Sequence, residues 1–597
     1  MRLRDVLHPF LAWKHLFNKP VPLKDPINRE AAPRYRGFHQ NDMETCIGCG
    51  TCEDICQNAA IDMVPVEGIE TKEGDSGLRP QIDYGRCCWC ALCVDICTTG
   101  SLTMSNEYQW IDTDPDVFRF VPGAENKPWD KMEKGYRKPE NYELYQTDRV
   151  HMEELKPADR DKSFIEIVQG FSKEQAIKEA DRCVECGICI ATCPAHMGIP
   201  QYIKAVREDN MEEALRVLYE TNPLPEVCGR VCTHNCETVC AMQYKGDPLS
   251  IRWLKRYIAD QVPSEKYKEI LGADGFEQKG KKIAIVGAGP GGLSAAYYLA
   301  NLGYQVKIFE AMPKPGGMTR YGIPEYRLPY DQLDKDINYI KSLGVDMQFN
   351  TRVGKDVTLE QLHKDYDAVF AATGLHVGRS TRVNGSDHPM VFQAIDLLRD
   401  VTEGKEIEVA EKIVVIGGGN VAMDIARTLA RLQNQKYGKV QLILTSLESE
   451  DIMPADVEEI VESREENVVI RPAWGPKDIK IEDGKIKGLN VIRCLSVFDK
   501  DGHFNPKFDQ KENDFFEADQ IVEAIGQGMD IEYITDKFEG PLEMTPRNRV
   551  KVDAFNQSSL PWLFVGGDII GGTDAITAIA DGHRAAKGID KFLNRKP

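Results

Sequence analysis

Apolar residues fall into distinct rhythms along the chain. Val6, Phe10, Leu11, Trp13, Phe17 and Leu23 form a stripe near its beginning, with Lys14 and Lys19 beside it. Such an amphipathic arm (1–35) either lies on a membrane surface or docks on a partner subunit or its own domain, and docking is the preferred reading. Residues 111–160 are charged and interrupted by Pro115, Pro122, Pro128, Pro139 and Pro157, which predicts a linker with little core. From 161 the spacing turns helical. Phe164, Ile167, Phe171, Ala176, Ile177 and Ala180 recur near one face, and Met211–Tyr219 predicts another helix that Asn222-Pro223-Leu224-Pro225 stops.

The second half alternates strand and helix. Ile283–Val286 predicts a short buried strand, followed by Gly287-Ala288-Gly289-Pro290-Gly291-Gly292, the helix-like LSAAYYLANLG, and a strand from Gln305 to Phe309 that ends at Glu310. Gly287, Gly289 and Gly292 allow a tight turn, close approach of a pyrophosphate and helix–strand packing. The helix N-terminus then faces the phosphates, and Glu310 stands where an acid holds a ribose hydroxyl. The layout recurs at Ile413–Ile416, Gly417-Gly418-Gly419-Asn420-Val421-Ala422, a helix through Leu432 and a strand near Val440–Leu444.

Composition narrows the classes. A length of 597 residues implies several domains, roughly three to five. The net charge of −20 argues against a nucleic-acid partner, and 42% apolar residues argue against disorder. No run approaches the ~18–20 apolar residues of a membrane span. Asp5, His8, Lys14 and His15 interrupt any secretory core in the first residues. The expectation is a cytoplasmic protein, whose thiols stay reduced and bind metal more readily than each other.

Sixteen of the eighteen cysteines fall into four groups. Cys46, Cys49, Cys52 and Cys56 follow C-x2-C-x2-C-x3-C, and Cys87, Cys90, Cys93 and Cys97 repeat it. Cys183, Cys186, Cys189 and Cys193 make a third copy before Pro194, and Cys228, Cys232, Cys236 and Cys240 follow at wider, even spacing. Two-residue gaps let three sulfurs converge on one face of a 4Fe-4S cube, while the fourth cysteine reaches a neighbouring cluster. That places Cys46, Cys49, Cys52 and Cys97 on one cluster and Cys87, Cys90, Cys93 and Cys56 on another. Zinc takes isolated C-x2-C pairs instead, and disulfides conflict with the compartment. The last group could also be a stripe on one helix face. Gly229, Thr233 and Asn235 are poor helix-interior residues, so ligation is the better account. Four groups of four thiols imply four 4Fe-4S clusters.

These residues carry family resemblances. Residues 36–110, with Arg34-Tyr35-Arg36-Gly37, CIGCGTCEDIC and SNEYQ, resemble a two-cluster ferredoxin, in particular the ferredoxin-type subunit of respiratory complex I. Gln57 and Thr98 stand where bacterial ferredoxins carry proline. Residues 161–275, with Glu174-Gln175-Ala176, NPLPEVCGRVC, CETVC and Ile251-Arg252, resemble the helical iron–sulfur domain of the glutamate synthase small subunit. That domain recurs in dihydropyrimidine dehydrogenase and in NADH-dependent ferredoxin:NADP oxidoreductase. The resemblance implies one cluster on Cys183, Cys186, Cys189 and Cys240 and a second on Cys193, Cys232, Cys236 and one further ligand. Some relatives use a downstream glutamine or glutamate where this chain has Lys255, which implies Cys228 as the fourth ligand.

Gly316-Gly317-Met318, Tyr321-Gly322-Ile323-Pro324, Ala372-Thr373-Gly374, Ala524-Ile525-Gly526-Gln527 and Gly566-Gly567-Asp568 resemble disulfide-reductase-like flavoproteins, in which one Rossmann unit is inserted into another. The resemblance implies FAD on the outer unit (276–400 and 515–597) and nicotinamide on the inserted one (401–514). Asp568 would reach the ribityl chain, and the helix from Asp574 would face the isoalloxazine. The implied flavin contacts are Gly287, Gly289, Gly292, Glu310, Gly317, Met318, Arg327, Thr373, Gly374, Gly567, Asp568, Ala575 and Ile576. The implied nucleotide contacts are Gly417, Gly419, Asn420, Val421, Ala422, Glu448 and Gly526. Relatives using NADPH end the second strand of the inserted unit with two arginines. Here Thr445 and Ser446 stand there, no Lys or Arg occurs from Val440 through Ser463, and Glu448, Glu450, Asp451 and Asp456 follow. A carboxylate bonds both hydroxyls of an NAD ribose and repels a 2′-phosphate, so NAD(H) is expected over NADP(H), with Glu448 as the acid. The alternative is a solvated acidic loop.

The expected fold is multidomain α/β and α+β: a two-cluster ferredoxin-like domain, a helical iron–sulfur domain and two Rossmann-type dinucleotide-binding domains. Hydride transfer between nicotinamide and flavin needs stacking, not a nucleophile or base, so no catalytic residue is expected. His8, His15, His39, His151, His196, His234, His363, His388, His503 and His583 form no triad or metal cluster in the sequence. The expected function is an NAD(P)H-dependent iron–sulfur flavoprotein oxidoreductase subunit. It would move electrons between NADH, FAD, four 4Fe-4S clusters and other redox subunits or soluble ferredoxin, within a hetero-oligomer and without nucleic acid. Alternatives are an electron-bifurcating transhydrogenase-type enzyme, a glutamate synthase small subunit and a non-catalytic wiring subunit.

Overall fold

The computed structural model describes residues 13, 16–18, 30–140, 142–272, 277–535 and 542–594, so most of the arm expected over 1–35 lies outside the described residues. The chain forms two compact units, Met1–Gln146 and Thr147–Pro597. No helix among the described residues is long and apolar enough to cross a membrane.

In the first unit, His39–Asn41 pairs antiparallel with Leu102–Met104, and Leu78–Asp83 pairs with Ile61–Pro65 on one side and Arg119–Phe120 on the other. Two short helices, Thr51–Asp54 and Leu92–Ile96, carry the third cysteine of each motif. Part of the stretch expected to be a linker is core. Phe120 and Trp129 are buried, and the Trp129 ring stacks on Phe38 at 4.4 Å between centroids. Trp110, Phe118 and Tyr136 join the same cluster. The aromatics lie among charges and prolines without period, so patterning misses them. A domain of this size nonetheless needs the ~150–250 Å² that each aromatic ring buries.

The second unit opens with short helices, among them Lys173–Ala180, Ile199–Arg207, Met211–Thr221, Pro225–Val231 and Ile251–Gln261. Ser172 and Gln175 form a reciprocal cap at the start of the first of these. Two parallel five-stranded sheets follow. One has the order Leu563–Val565, Ala368–Ala371, Lys282–Val286, Gln305–Phe309, Asp346–Gln348. The other has the order Val391–Gln393, Gln520–Glu523, Ile413–Ile416, Leu442–Thr445, Val469–Arg471. Expected domain breaks at 400/401 and 514/515 therefore miss the boundary, because Val391–Gln393 and Gln520–Glu523 pair inside the second sheet. A long antiparallel sheet, Trp474–Glu482, Lys485–Phe498 and Phe504–Glu517, runs across the expected break at 514/515. Strands this short carry no signal of which sheet they join, since neighbouring strands in either sheet look equally apolar.

Candidate redox site

The two parallel sheets border a cavity of about 950 Å³. Its wall includes Gly287, Gly289, Glu310, Gly317, Met318, Thr373, Gly374, Gly567, Asp568 and Ala575 from the outer unit and Asn420, Val421 and Asp424 from the inserted one. Gly287 has φ +101°, and a Cβ there would lie 2.6 Å from the Ala372 carbonyl oxygen, so only glycine fits. A Cβ on Gly292 would meet the Gly287 carbonyl oxygen at 1.9 Å, which lets the helix Pro290–Asn301 press against the strand before it. The N-terminus of that helix opens at Gly289, where a Cβ would meet only Gly317 Cα at 3.9 Å. This leaves a cradle for a phosphate against free backbone N–H groups.

The acid at the end of the second strand is anchored. Glu310 accepts from the Ala288 N–H at 2.7 Å and the Met312 N–H at 2.8 Å, and burial raises its pKa. On the far side, burial and the neighbouring Asp574 push the Asp568 carboxyl up to about 6. Asp574 caps the helix Ala575–Leu593 by accepting from the Thr577 N–H at 2.8 Å. Ile576 is buried and, like Gly292 and Gly526, lies off the cavity wall. Arg327 reaches the wall, yet its guanidinium is held by Asp424 at 2.9 Å and Glu459 at 2.7 Å, so it joins the two nucleotide units.

In the inserted unit, Asn420 exchanges bonds with Asp456, accepting from its N–H at 2.8 Å and donating to its carboxylate at 3.1 Å. Gly417, Gly419, Ala422 and Glu448 lie off the wall of the large cavity. Glu448 nevertheless covers the glycine loop, since a Cβ on Gly418 would lie 2.8 Å from its carboxylate oxygen. Thr445 donates to the Trp474 carbonyl at 2.9 Å and Ser446 to the Glu448 carbonyl at 3.0 Å, so neither supplies a cation. Arg464 pairs with Glu450 at 2.7 Å, and Glu448 and Asp456 are acids beside the loop.

The three C-x2-C-x2-C motifs share one backbone device. Both gaps of each contain a left-handed residue: Gly48 and Gly50 (φ +63° and +79°), Trp89 and Ala91 (φ +53° and +68°), and Glu185 and Gly187 (φ +55° and +72°). Each such residue reverses the chain so that successive thiols face a common point. Burial, then Cys97 and Cys46 nearby, raise the Cys49 pKa. Burial, then Cys90 and Cys56, raise Cys93 after its neighbour Cys87. Cys97 thus lies near Cys49, and Cys56 near Cys93. Cys56, Cys87, Cys90 and Cys93 line a small cavity with His39. A sulfur-only donor set around such a space fits a 4Fe-4S cluster.

In the second unit, burial and the nearby Cys240 push Cys183 up to about 12, and Cys189 is raised by burial with Cys186, Cys183, Cys236 and Cys240 around it. The remaining set is less symmetrical. Cys228 is fully buried and donates toward Cys232, which this bond and the Lys255 ammonium hold below the usual thiol range. Burial opposes the charge on Lys255, yet Cys232, Cys228, Cys193 and Cys236 around it raise its pKa. None of the eighteen thiols is in a disulfide. The left-handed residue here is His234, at φ +41°.

The loop that bears Cys232 borders the large cavity. Val231 and Thr233, on either side of Cys232, form part of the cavity wall, and the Thr233 hydroxyl donates to the Asp574 carboxylate at 2.9 Å. Neither residue is legible as functional in the sequence, although Thr233 sits between two thiols. His376 and Tyr533 also line the cavity. His376 follows the Ala372-Thr373-Gly374 turn by two residues, which is a signal that could have found it, and burial with Arg352 nearby lowers its pKa.

Comparison with known families places these features together. Residues 281–585 match the pyridine nucleotide-disulphide oxidoreductase model, 160–267 the 4Fe-4S domain II of dihydropyrimidine dehydrogenase, and 45–101 a 4Fe-4S dicluster domain. The chain is 39% identical over 432 residues to the NADP(+)-dependent formate dehydrogenase subunit beta of Moorella thermoacetica, covering 68% of this chain and 60% of that one. It is 36% identical to the NADPH-Fe(3+) oxidoreductase subunit beta of Geobacter sulfurreducens, covering 68% and 63%. It is 31% identical to the glutamate synthase [NADPH] small chain of Escherichia coli K12, covering 72% and 94%. The chain thus spans about six-tenths of the length of the first two relatives.

Proposed function

The chain belongs to the pyridine nucleotide-disulphide oxidoreductase family and carries two further 4Fe-4S domains, and on that premise we propose that it transfers electrons between NAD(H) and a partner redox protein. FAD occupies the cradle at Gly287, Gly289, Glu310, Gly317, Met318, Thr373, Gly374, Gly567, Asp568 and Ala575, and the nucleotide loop is Gly417–Ala422. Flavin supplies the exchange between a hydride pair and single electrons, and 4Fe-4S clusters carry electrons singly. The sixteen thiols hold four clusters, with Cys46, Cys49, Cys52 and Cys97 on one and Cys56, Cys87, Cys90 and Cys93 on the next. The others lie on Cys183, Cys186, Cys189 and Cys240, and on Cys193, Cys228, Cys232 and Cys236.

One observation carries this reading. The loop that bears Cys232 is also a wall of the flavin cavity, pinned there by the Thr233–Asp574 bond at 2.9 Å. The protein's own residues therefore bind the dinucleotides, seat the flavin-side thiols against the cavity and keep charged groups such as Glu310 fixed by backbone N–H groups. No side chain has to act as a base. The ferredoxin-like unit serves as the port to other redox subunits, in keeping with relatives named as a subunit beta or a small chain.

NAD(H) is the proposed nucleotide. The three relatives are named for NADP(+) or NADPH, but Glu448 over the glycine loop and the lack of any Lys or Arg from Val440 through Ser463 favour a free ribose 2′-hydroxyl. Stopped-flow reduction of the flavin by NADH and by NADPH tests both points. NADH should bleach it faster, and Glu448→Ala should weaken NADH by roughly tenfold while changing NADPH little, the loss of one charge-assisted bond. Equal losses would undo the nucleotide assignment, and no bleaching by either would leave only a wiring role. A glutamate synthase small chain is the second reading, favoured by the 94% coverage of that relative. Glutamine-dependent glutamate formation on adding a large chain would select it.

A further inference from the structure

His39 is read from sequence as a surface or core histidine with no role. The structure buries it to 1% exposure at the edge of the cavity lined by Cys56, Cys87, Cys90 and Cys93. Its backbone N–H donates to the Tyr84 hydroxyl at 2.7 Å. The ring Nδ1 lies 2.9 Å from the same hydroxyl, and Nε2 lies 3.3 Å from Cys93 Sγ. Tyr84 is buried in turn, with Phe38 at 5.1 Å and Phe120 stacked at 5.3 Å between ring centroids.

These contacts decide where the ring proton sits. A backbone N–H can only donate, so the Tyr84 oxygen is its acceptor and the hydroxyl's own proton is available for Nδ1. A thiolate that ligates iron presents only lone pairs, so Nε2 can face Cys93 at 3.3 Å only as an N–H donor. Both requirements select the same tautomer. Hydrogen bonds to ligand sulfur withdraw charge and stabilise the reduced cluster, one of the main controls on 4Fe-4S potentials.

We propose that His39 is a positioning residue that sets the reduction potential of the cluster on Cys56, Cys87, Cys90 and Cys93. Nε2–H donates to the Cys93 sulfur, and Tyr84 holds the tautomer that makes this possible. The inference rests on the cluster assignment proposed above. It singles out one cluster of the ferredoxin-like unit, because the sulfurs of the other set meet hydroxyls instead, Thr51 at Cys49 (3.2 Å) and Ser101 at Cys97 (3.5 Å).

The test is an EPR-monitored redox titration of the full chain with its clusters loaded, comparing wild type with His39→Phe, His39→Gln and Tyr84→Phe. His39→Phe should lower the midpoint of this cluster so that its reduced-to-oxidised ratio at a fixed potential falls about tenfold, equivalent to about 59 mV for one electron. The other three midpoints should stay put. His39→Gln, which keeps an N–H donor, should recover most of the loss, and Tyr84→Phe should fall between. In wild type, proton ENDOR should detect, besides the Ala60 and Trp89 N–H protons that face Cys56 and Cys87, one further exchangeable proton coupled to this cluster that disappears in His39→Phe. Unmoved midpoints with full iron, or no such proton in wild type, would overturn the role of His39 and leave the cluster standing. Wild-type iron well below about eight per chain, too little for both clusters of this unit, would overturn the cluster assignment itself.

Discussion

The two units hold the same kind of thiol sets in different surroundings. In the ferredoxin-like unit the sulfurs meet neutral groups, the His39 ring, Thr51 and Ser101, and the buried Arg79 near Cys46 is paired with Asp75 at 2.8 Å. In the flavin unit the set nearest the cavity encloses a buried ammonium, Lys255, and one of its loops is part of the cavity wall. A cation inside a low-dielectric shell favours the more negative, reduced state of a neighbouring cluster far more than neutral donors do. Equal ligands thus serve different tasks. Under the proposed function, the set beside the cavity is the more readily reduced of the two kinds.

Four substitutions break or sharpen that contrast. The largest effect should come from Cys232→Ser, which should cut NADH-driven reduction of the remaining clusters about a hundredfold or more while flavin bleaching persists. Cys93→Ser in the other unit should leave the flavin-side clusters reducible, and identical outcomes by EPR would erase the distinction. Lys255→Met comes next, with an expected drop of about tenfold or more in the reduced fraction of the flavin-side cluster at fixed potential. Lys255→Arg should preserve it, and an unchanged midpoint in the methionine variant would remove the electrostatic argument.

A smaller contrast lies within the ferredoxin-like unit. Gly50 and Ala91 occupy equivalent left-handed positions, φ +79° and +68°. The space beside Gly50 is open: a Cβ there would find its nearest neighbour, Met63 Cγ, at 4.0 Å. Gly50→Ala should therefore cost about 1–2 kcal/mol from backbone strain alone. Ala91→Gly should be neutral or stabilise by up to about 1 kcal/mol, because strain relief competes with unfolded-state entropy. Urea unfolding of the loaded protein measures both, and equal signs would contradict the equivalence. The smallest effect is Thr233→Val, which removes one hydrogen bond to Asp574 worth about 1 kcal/mol and should slow cluster reduction only a few-fold in stopped flow.

Much of this organisation is legible in the sequence because it is written in spacing. The turns inside the C-x2-C-x2-C motifs and both glycine loops depend on residues whose positions are fixed by local geometry, and Gly287 and Glu310 stand at the turn and strand end their spacing implies. What spacing does not encode is contact between distant segments. Trp129 reads as part of a proline-broken linker, yet it stacks on Phe38, 91 residues earlier in the chain. Val391–Gln393 and Gln520–Glu523 read as outer-unit residues but pair with each other in the inserted sheet. His39 and Thr233 are ordinary in sequence, and only the fold brings one to the Cys93 sulfur and the other to the cap of a cavity helix. Arg327 shows the converse: its motif points at a cofactor, while its guanidinium is held by two carboxylates of the neighbouring unit.

Rapid-freeze EPR after anaerobic mixing of the fully loaded chain with NADH tests the central claim, that the Cys232 loop couples the cavity to the thiol sets. Bleaching of the flavin followed by growth of reduced 4Fe-4S signals, abolished by Cys232→Ser, is the expected result. Full bleaching with the cluster signals unchanged on the same timescale would contradict it.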